Sequence, residues 1–215
     1  GDQDRPQKAA AILTTLRLMT GQDFSKTRWV DIGCGCGEIA ANIAPHVGYI
    51  MAIDPSPWRR WSTLKDAHPN LEFIQGDYTR SYPELHNIDV VVCNQVYEHV
   101  PNPEALIEFI HRILKPGGYV YFAGPNLLFP IEPHVFWPFV HWLPRRFAVG
   151  LMRLCGSKAV LEAYSTHYWQ LLRWFKDFQT INAVPFVLHH PDQYQRLNFM
   201  WRVLAKIPKP VLHVL

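Results

Sequence analysis

Apolar positions in the first 125 residues fall into short continuous runs set between longer periodic ones. The short runs are "RWVDI" (28–32), "YIMAI" (49–53), "LEFI" (71–74), "IDVVVC" (88–93) and "YVYFAG" (119–124). The fourth is apolar throughout rather than alternating, as expected of a strand covered on both faces. Between the runs the spacing is helical. Ile12, Leu16 and Met19 share one side of 8–19, Glu38 to His46 is Ala-rich, and Leu106, Phe109, Ile110 and Ile113 form a stripe. Asn102 and Pro103 read as the cap and first residue of that last helix, and Pro116-Gly117-Gly118 as its stop. Ser56, followed by Pro57, is expected to cap a helix after the second run. Strand–helix alternation of this kind predicts an α/β fold, a doubly wound, mostly parallel sheet of Rossmann-like build.

The alternation breaks after Gly124. "PNLLFPIEPHVFWPFVHWLPRRFAVGLMRLC" carries five prolines and then a helical stretch over 145–154. It reads as an aromatic, partly helical lid inserted after strand five, about residues 126–166, within a single domain spanning 1–215. Beyond it the pattern predicts a helix at 168–175, a strand within 178–188, a helix near 196–206 and a last strand in "PVLHVL" (210–215). That makes seven strands in all. The length suits one domain with a substantial core.

Charge and aromatic content divide at the same point. Residues 1–125 hold 11 Lys/Arg against 14 Asp/Glu, whereas 126–215 hold 10 against 4. Five of the eight Trp and eight of the twelve Phe also lie beyond residue 125. A cationic, Trp-rich lid fits a peripheral membrane contact or an acidic ligand; a homodimer surface is the plainer reading. The net charge of +3 is too small to imply nucleic acid. Cys34, Cys36, Cys93 and Cys155 do not form a disulfide framework. No signal-peptide pattern is visible, and no apolar stretch reaches the roughly 18 residues a membrane span needs, so the expected location is cytoplasmic.

Candidate chemistry sits at the ends of the predicted strands, where open parallel sheets bind ligands. Strand one ends in Asp31 and the Gly33/Gly35/Gly37 turn, strand two in Asp54, 21 residues after Gly33. Glycines admit a ligand to the backbone, and an acid about 20 residues on can accept both hydroxyls of a ribose. A dinucleotide site would read G-x-G-x-x-G with a pyrophosphate on the helix N-terminus. Here the run is G-x-G-x-G with Glu38 next, a carboxylate that repels pyrophosphate and suits a cationic ligand. S-adenosylmethionine, with its sulfonium and ammonium and no phosphate, matches that charge pattern.

"VDIGCGCGEIA", "AIDPS", "GDY" and "VVCNQVYEHVPNPEALIEFIHRILKPGGYVYFAGPN" together resemble the class I S-adenosylmethionine-dependent methyltransferases, nearest to the ubiquinone-biosynthesis-like (methyltransferase type 11) branch. The resemblance covers residues 28 to about 126. It implies that Asp31 and the backbone of Gly33 to Gly37 hold the methionine moiety and Asp54, with Pro55 after it, the ribose. It further implies that Asp77 accepts from the adenine amino group beside Tyr78, and that Asn94 and Gln95 line the sulfonium end. S-adenosylhomocysteine would be the product. Cys34 and Cys36 stand where the family takes many small residues.

Methyl transfer is an in-line displacement that relies on alignment. A hydroxyl acceptor also needs a base, and His99 and His134 are the candidates, with Glu132 able to orient His134. A metal held by Glu132, His134 and His99 is disfavoured, since no dense ligand spacing is present. A lid this long and aromatic is expected to be functional. Phe136, Trp137 and Trp142, with Arg145 and Arg146, would suit an apolar acceptor with an anionic portion: a small molecule, a lipid or a lipid-linked glycan, most simply methylated on oxygen. Nucleic acid is disfavoured because the basic residues are dispersed and "NQVY" stands where an N/D-P-P-Y/F tetrad would follow strand four. The competing readings are a nicotinamide-dependent oxidoreductase and a non-catalytic binding protein that keeps the fold.

Overall fold

Five strands hydrogen-bond side by side in the order β3-β2-β1-β4-β5, all parallel. They are β1 (Arg28–Ile32), β2 (Tyr49–Asp54), β3 (Leu71–Gln75), β4 (Ile88–Asn94) and β5 (Leu114–Ala123). The computed structural model describes residues 4–80, 82–131, 135, 137–158, 165–194 and 206 of the 215-residue chain.

Side chains alternate across the sheet and feed two separate cores. Trp29, Ile50, Ala52, Val90 and Val92 pack beneath α1 (Arg5–Thr20) and α2 (Glu38–Ile43). Val30, Ile32, Met51, Ile53, Val91 and Cys93 face the other way, under α4 (Pro103–Ile113). Apolar residues on both faces explain the continuous runs in the sequence. Leu106, Phe109, Ile110 and Ile113 of α4 are all buried, as the stripe predicts, and Asn102 Oδ1 accepts the Ala105 N–H at 3.1 Å as the cap.

Three expectations are corrected. Ser56 caps nothing: its N–H donates to Asp54 Oδ1 at 2.9 Å, and α3 (Arg60–Ala67) begins four residues later. β5 starts at Leu114, directly after α4, because Leu114 finds an apolar partner opposite Ile88; the register then shifts before Val90 pairs with Tyr119. No strand forms within 178–188. Asn182 Oδ1 takes the Val184 N–H at 2.9 Å, and with Pro185 in its first turn the segment enters the helix α7 (Val184–His189). Pro185 also lacks a ladder donor. The sheet therefore has five strands among the described residues, not seven. The helix expected near 196–206 and the strand in 210–215 lie outside those residues, Lys206 excepted.

In the lid, Asn126 and Thr166 form a bridge, so the two ends of the insertion lie side by side. α5 (Arg145–Leu154) occupies the residues the sequence predicts and buries Ala148 and Met152 on Val140, Val135 and Trp137. α6 (Tyr168–Trp174) follows, matching its prediction within a residue. Among the described residues, no helix is long and apolar enough to cross a membrane.

Candidate functional site

The order in which strands are added reverses between β1 and β4, since β2 and β3 extend the sheet one way and β4 and β5 the other. That switch opens a crevice at the carboxyl ends of β1 and β4. The turn after β1 lines one side. Gly33, Gly35 and Gly37 all take left-handed backbone, with φ of +69°, +53° and +86°. A Cβ built on Gly37 would stand 2.4 Å from Phe73 Cε1, whereas one built on Gly35 meets nothing within 4 Å. Gly37 is thus required by packing. Gly35 presents bare backbone to open space.

Asp54, at the end of β2, braces this turn. Its Oδ2 accepts the Gly35 N–H at 2.8 Å, while Oδ1 holds Ser56. Trp61 of α3 donates its indole N–H to the Gly35 carbonyl at 2.9 Å and stacks on Phe73 at 5.0 Å. Trp61 and Phe73 went unnoticed in the sequence; the only signal was a Trp seven residues beyond Asp54.

Asp31 is the site's most unusual group. It is buried at the end of β1, and its Oδ2 has no hydrogen-bond partner. Burial pushes its carboxyl up to about 7, against the opposing pull of Arg5 and with some help from Asp54. A buried carboxylate oxygen without a partner is costly, and a bound cation or N–H donor would relieve it.

Glu38 plays a different part from the one its position implies. It pairs with the Arg60 guanidinium of α3. Its charge is already answered within the protein, whereas Asp31 Oδ2 has no hydrogen-bond partner. The sequence could not show this, because Arg60 lies 22 residues away on another helix.

Asp77 follows β3 and, with Pro55, Gln75, Gly76 and Arg80, lines a cleft of about 350 Å³. Its Oδ1 accepts the Thr79 N–H and hydroxyl, which hold the carboxyl below the usual carboxylate range. Gly76 has no room for a side chain, since its Cβ would lie 2.1 Å from the Tyr82 hydroxyl. Tyr78 packs on the core layer beneath α4.

After β4, Asn94 is half-buried and Gln95 is exposed, with φ +60° and its N–H on the Ala123 carbonyl at 2.7 Å. Val96 packs onto Gly33, close enough that any Cβ there would clash at 2.5 Å. Tyr97, buried, donates its hydroxyl to the Pro125 carbonyl and accepts the Thr166 N–H at 3.2 Å. Both partners are roots of the lid. Glu98 is also buried, and His99 is exposed, its Nε2 4.0 Å from Glu98 Oε1. The roles of Tyr97 and Glu98 were missed in the sequence, where "EH" drew attention only to the histidine.

Of the lid residues, Trp137 belongs to the small core under α5, whereas Trp142 and Arg145 are exposed. Trp142 donates its indole N–H to the Leu127 carbonyl. Glu132, His134 and Phe136 lie outside the described residues.

A glycine turn, an acid ending β2 and an acid following β3, on one parallel sheet, define a nucleoside-cofactor protein of Rossmann-like build. A family profile described as "Methyltransferase domain" matches residues 2–183, and the chain belongs to that family. S-adenosylmethionine is the cofactor of the family.

The chain is 32% identical over 134 residues to the ubiquinone biosynthesis O-methyltransferase of Xanthomonas oryzae pv. oryzae, matching 58% of this chain and 55% of that one. It is 34% identical over 104 residues to the protein of the same name from Aliivibrio fischeri, matching 45% and 43%. The chain thus spans about half the length of the curated relatives it matches. The crystal structure of the YcgJ protein from Bacillus subtilis covers 79% of this chain and 67% of its own at 19% identity, with a TM-score of 0.56. That likeness shows a shared fold.

Proposed function

We propose that the chain binds S-adenosylmethionine across the carboxyl ends of β1 to β4 and transfers its methyl group to an oxygen of an apolar or amphipathic acceptor. A small molecule, a lipid and a lipid-linked glycan all fit that description. The observation that carries the reading is Asp31 Oδ2, buried without a partner beside a turn whose central glycine leaves space open. When bound, S-adenosylmethionine supplies an electrophilic methyl group on a sulfonium. Asp31 would answer its ammonium, and the backbone at Gly35 would lie along the methionine portion. Asp54 keeps lone pairs for ribose hydroxyls even while holding Gly35 and Ser56, since each carboxylate oxygen accepts more than one bond. Asp77, across the cleft from Pro55, would accept the adenine amino group.

His99 is the proposed base. It is exposed on the turn after β4, with Glu98 Oε1 4.0 Å from its Nε2. The names of the curated relatives support oxygen as the acceptor atom. The test is transfer of an isotope-labelled methyl group from S-adenosylmethionine into an acceptor extract, with the product identified by mass. A labelled ether or ester supports the reading, and a labelled amine or carbon product overturns the choice of oxygen. His99→Ala should lower kcat at least about a hundredfold with the cofactor Kd unchanged.

A further inference from the structure

α5 wears its apolar residues on the outside. Phe147, Leu151 and Leu154 recur at helical spacing along one stripe, and they are 57%, 43% and 86% exposed. The residues α5 buries, Ala148 and Met152, lie on a different face and are smaller in total. The turn before the helix adds Phe139 and Trp142, each 50% exposed and packed ring against ring at 4.9 Å, and the exposed Leu143. Single exposed apolar residues are ordinary, but six large ones within 16 residues are a concentration that calls for a cover.

Charge indicates what covers it. Residues 133–161 contain Arg145, Arg146, Arg153 and Lys158 and no Asp or Glu. Arg146 and Arg153, seven apart, border the apolar stripe, and the Arg146 guanidinium lies over the Phe147 ring at 4.8 Å. A second copy of this chain would set the same cationic faces, Arg146 and Arg153, against each other. A headgroup layer of anionic lipid answers both features: it accepts apolar side chains to a shallow depth and pairs with the arginines around them.

We propose that α5 and the turn before it form a docking face for an anionic membrane surface, α5 lying in the plane of the headgroups. The face is independent of the cofactor site and stands whether or not the proposed reaction is correct. On that reaction, it would bring the lid to a lipid-borne acceptor.

The test is flotation of the full chain with vesicles of phosphatidylcholine alone and of phosphatidylcholine doped with phosphatidylglycerol. The chain should float with the doped vesicles at low salt, and much less in molar salt or without phosphatidylglycerol. Arg146→Gln with Arg153→Gln should weaken partitioning about 25-fold, fivefold for each charge. Phe147→Ser with Leu151→Ser should weaken it at least about tenfold, with the circular dichroism spectrum and thermal midpoint held as folding controls. Failure of the wild-type chain to bind doped vesicles overturns the proposal. So does equal binding to both vesicle types, binding that neither double variant weakens, or a sedimenting dimer that the same substitutions disperse.

Discussion

Gly35→Ala and Gly37→Ala should fail in opposite ways, although the two residues are two positions apart and share left-handed backbone. Each substitution places a Cβ at positive φ, which costs about 1–2 kcal/mol. At Gly37 the new methyl would also stand 2.4 Å and 2.6 Å from Phe73 Cε1 and Cζ. Phe73 has little room to retreat, because Trp61 stacks on it with the rings 10° from parallel. Overpacking of this kind adds about 1–3 kcal/mol, for a total of roughly 2–5 kcal/mol. In a chain of this size the thermal midpoint should fall by about 4–20 °C. At Gly35 nothing lies within 4 Å, so only the backbone cost applies, about 2–8 °C. The Gly35 methyl does, however, occupy the space assigned to the methionine end of the cofactor. Affinity for S-adenosylhomocysteine should fall at least about tenfold. Thermal unfolding read alongside isothermal titration separates the two effects. If Gly35→Ala keeps wild-type affinity, or destabilises the chain as much as Gly37→Ala, the placement of the ligand against this turn is wrong.

Asp31 predicts a pH dependence with a definite sign. Its carboxyl ionises near 3.8 when solvated and near 7 when folded. Between those values the folded chain keeps a proton that the unfolded chain has lost. The stability of the ligand-free protein should therefore decline as pH rises from about 4 to 7, by at most roughly 4 kcal/mol. Asp31→Asn should flatten this slope in urea titrations, and a slope that persists would refute the assignment. Tyr97→Phe removes the hydroxyl shared by Pro125 and Thr166, so stability should drop by about 1–3 kcal/mol, with faster amide hydrogen exchange at Thr166. Unchanged protection there would mean the hydroxyl does not tie the lid. Cys34→Ala with Cys36→Ala should leave cofactor affinity within about twofold in the same titration, because the Gly35 carbonyl keeps the Trp61 indole N–H when the Cys34 thiol, 3.6 Å away, is lost; a larger loss would give the thiols a part in binding.

The strands and the turn were legible in the sequence because one local cause fixes each of them. Residues apolar on both faces mark β1, β2 and β4, and a cap followed by Pro marks α4. What escaped was decided by competition between neighbours. Ser56 has the chemistry of a cap, but α3 begins only at Arg60, with Arg59 in the cap position. The stretch 178–188 is apolar enough for a strand, yet Asn182 and Pro185 supply a helix start that outweighs it. Other features depend on contacts between residues far apart in the chain. Glu38 meets Arg60, Val96 meets Gly33, and Tyr97 meets Thr166, and no spacing rule connects these pairs. The glycine turn was readable as a tight turn at the end of β1, whereas the pairing of the adjacent Glu38 with Arg60 was not. The outward apolar stripe of α5 was hidden for a further reason. Helical periodicity reveals that a helix has an apolar face, but not whether that face turns inward.

The central claim is that Asp31 and the glycine turn select a cationic nucleoside cofactor. Isothermal titration of the wild-type chain and Asp31→Asn with S-adenosylmethionine, S-adenosylhomocysteine and NADH tests it most directly. The account predicts saturable binding of the first two by the wild-type chain, a loss of at least about tenfold in Asp31→Asn, and no binding of NADH. Binding of NADH without S-adenosylmethionine, or full affinity in Asp31→Asn, would contradict it.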